Sequence, residues 1–266
     1  MTISSERGIT ARWRTVRAAG RSALIPYVTA GFPSRARSLE ALQMVADEGA
    51  DFVEVGVPFS DPLADGPVIQ RASHHALQQG MTTAGVLELV AEAALPVPVI
   101  LFSYLNPILR YGVDRFLRDA RAVGADGLLL TDLPGGADPG LEETLRRGPL
   151  DLIRLVAPTT SPGRLVGLLA SADGFVYLIA RLGVTGARTP VTAELARSVA
   201  AIRARSSLPI AVGFGIDSGE QARAVAGLAD GVVVGTALVR RLADGVPAAR
   251  ALVGELRRAL DAVAVA

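Results

Sequence analysis

Short runs of valine, isoleucine and leucine recur along the chain and alternate with longer amphipathic segments. The apolar runs are near-continuous, as expected for strands of a parallel sheet that is covered on both faces. The segments between them carry apolar residues at helical spacing and predict a helix after each strand. A further helix is predicted at residues 4–20, before the first strand. The predicted strands are residues 23–28, 52–56, 97–102, 126–131, 150–156, 175–180, 209–213 and 231–235.

The regular alternation predicts the fold class. Eight strand–helix units in about 250 residues are the proportions of a TIM barrel. A doubly wound open sheet is the alternative, but it usually has fewer strands and often a Gly-rich turn after the first one. The loop Thr29-Ala-Gly-Phe-Pro33 is not such a turn, and no linker or low-complexity segment divides the chain. We therefore expect one TIM-barrel domain over residues 1–266, with an extra N-terminal helix.

Charge and hydropathy exclude two classes of partner. The formal net charge is +1, and no basic run is interleaved with aromatic residues, so nothing favours nucleic-acid binding. No apolar stretch reaches the roughly 18 residues needed to span a membrane. The N-terminal segment also lacks the apolar centre of a signal peptide. We expect a cytoplasmic protein with no membrane partner.

Missing residue types restrict the chemistry further. The chain has no cysteine, and all 27 basic residues are arginine, so a lysine imine is impossible. Histidine occurs only at His74 and His75, which point in different directions on a helix and are expected on its solvated face. No His-rich or thiolate metal site is available. Acid/base work must fall mainly to Asp, Glu or Tyr.

Two carboxylates in different settings stand out. Glu54 lies inside the apolar strand 52–56, where an unpaired charge is costly or shifts its pKa. Asp65 follows at a loop-to-helix junction and is also typical of an ordinary helix N-cap. Glu54 has a structural alternative too, as a carboxylate satisfied by backbone or an arginine. A pair of carboxylates whose pKa values are pushed apart is a candidate acid/base pair.

Glycine-rich loops follow the last three predicted strands. Gly213-Phe-Gly215 ends the seventh strand, and Gly235-Thr236 ends the eighth before a short helix. In TIM barrels these two loops commonly bind phosphate, although glycines also serve as plain tight turns. The loop Arg181-Leu-Gly-Val-Thr-Gly-Ala-Arg188 is long enough for a lid hinged at its glycines, or for an ordinary exposed loop.

The stretch from Glu54 to Gln70, EVGVPFSDPLADGPVIQ, closely resembles the signature of the tryptophan synthase α subunit family. Shorter stretches extend the resemblance over most of the chain: Pro26-Tyr-Val-Thr-Ala-Gly31, Asn106-Pro-Ile-Leu-Arg-Tyr-Gly112, Asp132-Leu-Pro134, Gly183-Val-Thr-Gly186 and Gly213-Phe-Gly-Ile216. The resemblance implies retro-aldol cleavage of indole-3-glycerol phosphate to indole and glyceraldehyde 3-phosphate, without metal or organic cofactor.

The resemblance also implies roles for individual residues. Glu54 would protonate indole C3 and take the side-chain hydroxyl proton, and Asp65 would interact with the indole N–H. Tyr177 would orient Glu54, and Thr185 on the lid would bond Asp65. The implied phosphate site is Gly186, Gly215, Gly235 and Thr236; the implied walls of the indole pocket are Tyr27, Ile69, Leu101, Tyr104, Leu129 and Phe214.

The implied partner is the β subunit of tryptophan synthase, a pyridoxal-phosphate enzyme, in an α2β2 heterotetramer. Ser60-Asp-Pro62 and the following loop match the surface that contacts it. Ala180 and Leu182 depart from the family pattern beside the lid. A stand-alone indole-releasing lyase of specialised metabolism is therefore an alternative, and a non-catalytic phosphate-binding activator and another TIM-barrel enzyme of phosphorylated metabolites are further ones.

Overall fold

The computed structural model describes residues 8–180, 191–213 and 215–263. In this part of the chain eight parallel strands close into a barrel in sequence order, so the predicted TIM barrel is confirmed. The strands are β1 (Ala23–Thr29), β2 (Val53–Gly56), β3 (Val99–Ser103), β4 (Ala125–Leu130), β5 (Asp151–Val156), β6 (Val176–Ile179), β7 (Ile210–Gly213) and β8 (Gly231–Val234). That residues 1–266 form one domain stays a prediction.

The described residues also form twelve helices, most of which lie between successive strands. They are α1 (Gly8–Ala18), α2 (Arg35–Asp47), α3 (Pro67–Gln78), α4 (Thr83–Ala93), α5 (Leu105–Tyr111), α6 (Val113–Ala122), α7 (Pro139–Arg147), α8 (Pro162–Ala170), α9 (Val191–Arg203), α10 (Gly219–Ala226), α11 (Thr236–Asp244) and α12 (Val246–Asp261). None of them is long and apolar enough to cross a membrane.

Helix α5 is absent from the predicted elements. Its sequence, Leu-Asn-Pro-Ile-Leu-Arg-Tyr, has a proline at its third position, which looks like a helix breaker. A proline in the first turn removes no helical hydrogen bond, because the first N–H groups of a helix have no partner within it. The first amide of α5, that of Leu105, instead donates to Asp132 Oδ1 at 2.7 Å.

Helix α1 closes the N-terminal end of the barrel. Its buried residues, Ile9, Trp13 and Val16, belong to the same interior cluster as the inward side chains of the strands. The Trp13 ring lies 4.8 Å from Phe52 and 5.7 Å from Phe175, centroid to centroid. This aromatic floor fills the barrel from below and leaves the carboxyl ends of the strands as the place for polar chemistry.

A buried ion-pair cluster fastens α1 and α12 to this end of the barrel. Asp51, just before β2, is fully buried and accepts from Arg12 at 2.8 Å, from Arg21 at 2.5 and 2.8 Å, and from Arg257 at 3.1 Å. It also accepts the backbone N–H of Leu24 at 3.1 Å. One carboxylate therefore joins α1, β1 and α12.

We expect Asp51→Ala to lower the free energy of unfolding by about 3 kcal/mol, because three arginines then surround a site without its carboxylate. Chemical denaturation measures this loss. Asp261→Ala is the matched control, since Asp261 also pairs with Arg257, at 2.7 Å, but is 52 % exposed. Its cost should be at most about 1 kcal/mol. Equal costs for the two variants would contradict a structural role for the buried cluster.

Candidate active site

Glu54 lies on the inward face of β2, one layer above the aromatic floor. It is 1 % exposed, and its Oε1 is buried without a hydrogen-bond partner. Burial raises the pKa of Glu54 to about 8, because the ionised form loses its hydration. Among the described residues no arginine or backbone group satisfies Oε1, so they give no support to the structural alternative for this carboxyl. A buried acid that is protonated near neutral pH can both give and accept a proton.

Asp65 lies in the loop between β2 and α3, at the rim of the same cavity. Tyr104 Oη donates to Asp65 Oδ2 at 3.1 Å and accepts the N–H of Ala64 at 2.9 Å. Burial raises the pKa of Asp65 to about 6, and the bond from Tyr104 opposes the rise. The N-cap of α3 is Gly66 and the helix begins at Pro67, so the predicted helix start at Asp65 and its alternative role as an N-cap are wrong.

Two tyrosines each extend over a glycine at the end of the adjacent strand, Tyr27 from β1 over β2 and Tyr177 from β6 over β7. A Cβ atom on Gly56 would lie 2.0 Å from Tyr27 Oη, and one on Gly213 would lie 2.1 Å from Tyr177 Oη. Both tyrosines line the cavity with Glu54. The pKa of Tyr177 is raised by burial and then by the nearby charge of Glu54. The missing Cβ atoms therefore make room for both hydroxyls beside the carboxyl group.

The rest of the cavity wall is mainly apolar. Ile69, an expected wall residue, lines it near Asp65. The other apolar residues are contributed by β3, β5, β6, β8 and the loop after β7: Phe102, Leu155, Ile179, Val233 and Ile216. Such a wall suits a flat aromatic group, with the carboxyl groups of Glu54 and Asp65 as its polar contacts.

Leu101, Leu129 and Tyr104 were expected in this wall but do not line the cavity. Leu101 packs in the outer layer between barrel and helices, because Glu54 pairs with Ile100 and the inward residues of β3 are Ile100 and Phe102. Leu129 points inward but lies in the buried interior cluster, and Thr131 lines the cavity two residues later. Tyr104 stands behind Asp65, to which it donates.

Part of the cavity lining has the features of an anion site. Gly215, Gly235 and Thr236 all line it. Gly215 has φ +83°, which favours glycine, and Gly235 is the N-cap of α11 without a side-chain cap. The first N–H groups of α11 therefore have no partner in the helix and face the same end as its positive dipole. This arrangement agrees with the predicted phosphate site.

The other predicted site residues, Thr185, Gly186 and Phe214, lie outside the described residues, as do Leu182 and the lid. His74 and His75 are exposed on α3, as predicted, and His75 Nε2 contacts Pro33 O at 3.0 Å. In the described ranges no three His, Asp or Glu side chains form a group that could hold a metal ion.

Besides the wall residues Leu155, Ile179, Ile216 and Val233, four features of the site were not predicted from the sequence. Phe102 and Thr131 line the cavity, and Gly56 and Gly213 admit the tyrosine hydroxyls. The signal for Phe102 is the alternation of inward and outward side chains. Because Glu54 pairs with Ile100, the next inward residue of β3 is Phe102. The need for glycine at positions 56 and 213 comes from contacts with the adjacent strand, and the pattern of residues along the chain does not show these contacts.

Comparisons with known proteins agree with this geometry. The family model described as "Tryptophan synthase alpha chain" matches residues 13–263. The tryptophan synthase alpha chain of Acidiphilium cryptum (strain JF-5) is 47% identical over 237 residues, covering 88% of this chain and 86% of that protein. The one from Chloroflexus aggregans (strain MD-66 / DSM 9485) is 43% identical over 237 residues, covering 88% and 89%. The crystal structure of tryptophan synthase subunit alpha from Legionella pneumophila str. Paris matches with a TM-score of 0.90 and 36% identity, covering 97% of this chain and 100% of that chain.

We expect Gly56→Ala to push the Tyr27 ring from its place and to lower the free energy of unfolding by about 1–3 kcal/mol, the usual cost of overpacking. Chemical denaturation measures it. Gly167→Ala is the control, because nothing lies within 4 Å of its Cβ position in α8. That variant should be unchanged or more stable by about 0.5–1 kcal/mol. A Gly56 variant as stable as the control would show that the close approach is not required.

Proposed function

This chain belongs to the tryptophan synthase alpha chain family, and we propose that it cleaves indole-3-glycerol phosphate with Glu54 and Asp65 as its acid/base pair. The observation that carries the proposal is the buried Glu54 carboxyl, whose Oε1 has no partner among the described residues, in a cavity that Asp65 also lines. The products are indole and glyceraldehyde 3-phosphate. The apolar wall holds the indole ring, and Gly215, Gly235 and Thr236 hold the phosphate with Gly186.

The reaction begins with proton transfer to the ring. Glu54, with a pKa near 8, is mostly protonated at neutral pH and gives its proton to indole C3. A C–H bond forms at C3, and the ring becomes a cationic indolenine. The apolar surroundings keep water away from the carboxyl group until substrate arrives.

Cleavage then returns the proton to Glu54. The Glu54 carboxylate removes the proton of the hydroxyl next to the breaking bond. The O–H electrons form the aldehyde C=O, the C–C bond to C3 breaks, and its electrons restore the neutral aromatic indole. Glu54 ends protonated, so the cycle needs no external proton and no cofactor.

Asp65 stabilises the cationic intermediate. With a pKa near 6 it is mostly ionised at neutral pH, and its carboxylate accepts a hydrogen bond from the indole N–H. Tyr104 holds Asp65 by the bond to Oδ2. Tyr177, whose pKa is raised by the nearby charge of Glu54, orients that carboxyl. The proposed role of Thr185, which lies outside the described residues, is a hydrogen bond to Asp65.

The pH dependence of kcat/KM tests the acid/base pair. The reaction needs ionised Asp65 and protonated Glu54, so kcat/KM should rise as the pH passes about 6 and fall as it passes about 8. Indole release from purified protein measures the rate. Glu54→Gln should remove nearly all activity, a loss of about 100-fold or more, since it cannot exchange the proton. Normal turnover by this variant would overturn the assignment.

The partner proposed for this chain is the β subunit of tryptophan synthase, in an α2β2 assembly. Leu63, in the loop before Asp65, is 91 % exposed, more than the other exposed large apolar side chains of the described residues, Val166 at 55 % and Leu109 at 50 %. The loop also contains Ser60, Asp61 and Pro62, the residues matched to the partner surface. An exposed leucine on an ordered loop suits a partner that covers it.

We expect Leu63→Ser to weaken activation of indole release by the β subunit about 10-fold in required β concentration, because the lost burial is worth about 1.4 kcal/mol or more. Titration of the β subunit against indole release measures it. Val166→Ser, at a 55 % exposed position on α8, is the control and should behave as the unaltered chain. Fast turnover that is indifferent to the β subunit would contradict this partner and favour a free-standing lyase.

A further inference from the structure

The Tyr27 hydroxyl is a polar group of the cavity to which the proposed reaction gives no role. Tyr27 and Glu54 are direct partners in the register of β1 and β2. Neighbouring strands lie about 4.8 Å apart, and both side chains point into the barrel. Tyr27 is 5 % exposed and lines the cavity with Glu54. The two side chains therefore share one buried space.

The ring of Tyr27 is fixed in direction by its neighbours. Its hydroxyl lies over Gly56, two residues beyond Glu54 on the same face of β2, where a Cβ atom would be only 2.0 Å away. The ring of Phe102 meets it edge to face, with centroids 5.3 Å apart and planes at 79°. The hydroxyl thus crosses from β1 to the end of β2, above the Glu54 backbone.

In the described residues the Tyr27 hydroxyl lacks a close acceptor, and the Glu54 carboxyl lacks a donor. Tyr27 Oη accepts from Thr29 Oγ1 at 3.5 Å, and Thr29 is 1 % exposed. In the described residues this long contact is the one hydrogen bond of Tyr27 Oη, so its hydrogen can turn to a stronger acceptor. Glu54 Oε1 is a buried acceptor without a donor. Unmatched buried polar groups are costly, so this unused donor and acceptor in one cavity need a functional explanation.

We propose that Tyr27 is a positioning residue that donates a hydrogen bond to the Glu54 carboxylate while Glu54 lacks its proton. This inference rests on the proposed function. The bond is charge-assisted only while Glu54 is ionised. It therefore stabilises the carboxylate after Glu54 has given its proton to C3 and before Glu54 takes the proton of the substrate hydroxyl. Tyr27 keeps its own proton throughout, because burial and the charges of Asp65 and Glu54 hold its pKa well above the ordinary value.

Tyr27→Phe removes the donor and leaves the ring over Gly56. Without a bond to its ionised form, Glu54 binds its proton more tightly, so the basic limb of kcat/KM should move up by about one to two pH units. At neutral pH kcat should fall about 10-fold, with KM changed less than about twofold, because Glu54 is mostly protonated before the reaction and becomes the carboxylate that Tyr27 bonds only after proton transfer to C3. Indole release across the pH range measures both.

Two further variants isolate the effect. Thr29→Val removes the group that donates to Tyr27, and it should move the basic limb of kcat/KM less than Tyr27→Phe does. The double variant should move that limb no further than Tyr27→Phe alone. Tyr111→Phe is the control, since its hydroxyl donates to Asp119 at 2.7 Å outside the cavity. It should leave kcat, KM and both limbs unchanged.

The outcomes separate this inference from the proposed function. A normal basic limb in Tyr27→Phe, with either raised KM or no change, would overturn the role of Tyr27 and leave it as a wall residue. If the unaltered chain releases indole with no basic limb, the assignment of Glu54 fails first. Thermal unfolding of every variant distinguishes a lost fold from a lost bond.

Discussion

The burial of one carboxyl group, without a counter-charge in the part of the chain that the structure describes, is the constraint on which the site depends. Glu54 lies where the barrel interior ends and the cavity begins, and Oε1 has no partner there. Below it the interior cluster, closed by Trp13 and backed by Phe52 and Phe175, keeps water from the carboxyl group. Placing a neutral acid in such a site costs far less than placing an ion there, and this difference raises its pKa.

A second carboxyl group, three residues earlier, is buried in the opposite way. Asp51 is surrounded by the guanidinium groups of Arg12, Arg21 and Arg257, whereas no described arginine pairs with Glu54. The first group joins α1, β1 and α12 at the N-terminal end of the barrel. The second faces the cavity at the carboxyl end. The two carboxyl groups therefore follow the usual arrangement of TIM barrels, in which the N-terminal end of the strands contributes stability and the C-terminal end carries the chemistry.

Most of the barrel could be predicted, since its strands are apolar runs of the expected length and spacing. The errors in the site come from geometry between strands. Leu101 is a wall residue only by the family resemblance, and the run 97–102 is apolar at every position, so sequence alone does not show which face looks inward. The pairing of Glu54 with Ile100 decides it and makes Phe102 the wall residue. Gly56 matters only because Tyr27 crosses from the neighbouring strand.

One tyrosine connects the exposed loop to the acid/base pair. The Tyr104 ring packs against Phe59 with centroids 5.1 Å apart, and its hydroxyl bonds both Ala64 and Asp65. Leu63 is the residue next to Ala64, so a protein that covers Leu63 also restrains the backbone that Tyr104 holds. Asp65 follows directly in the chain and has few rotatable bonds between its carboxylate and that backbone. Under the proposed function, order imposed on the loop by a partner becomes order at the Asp65 carboxylate, and a surface contact would in this way act on a step inside the barrel.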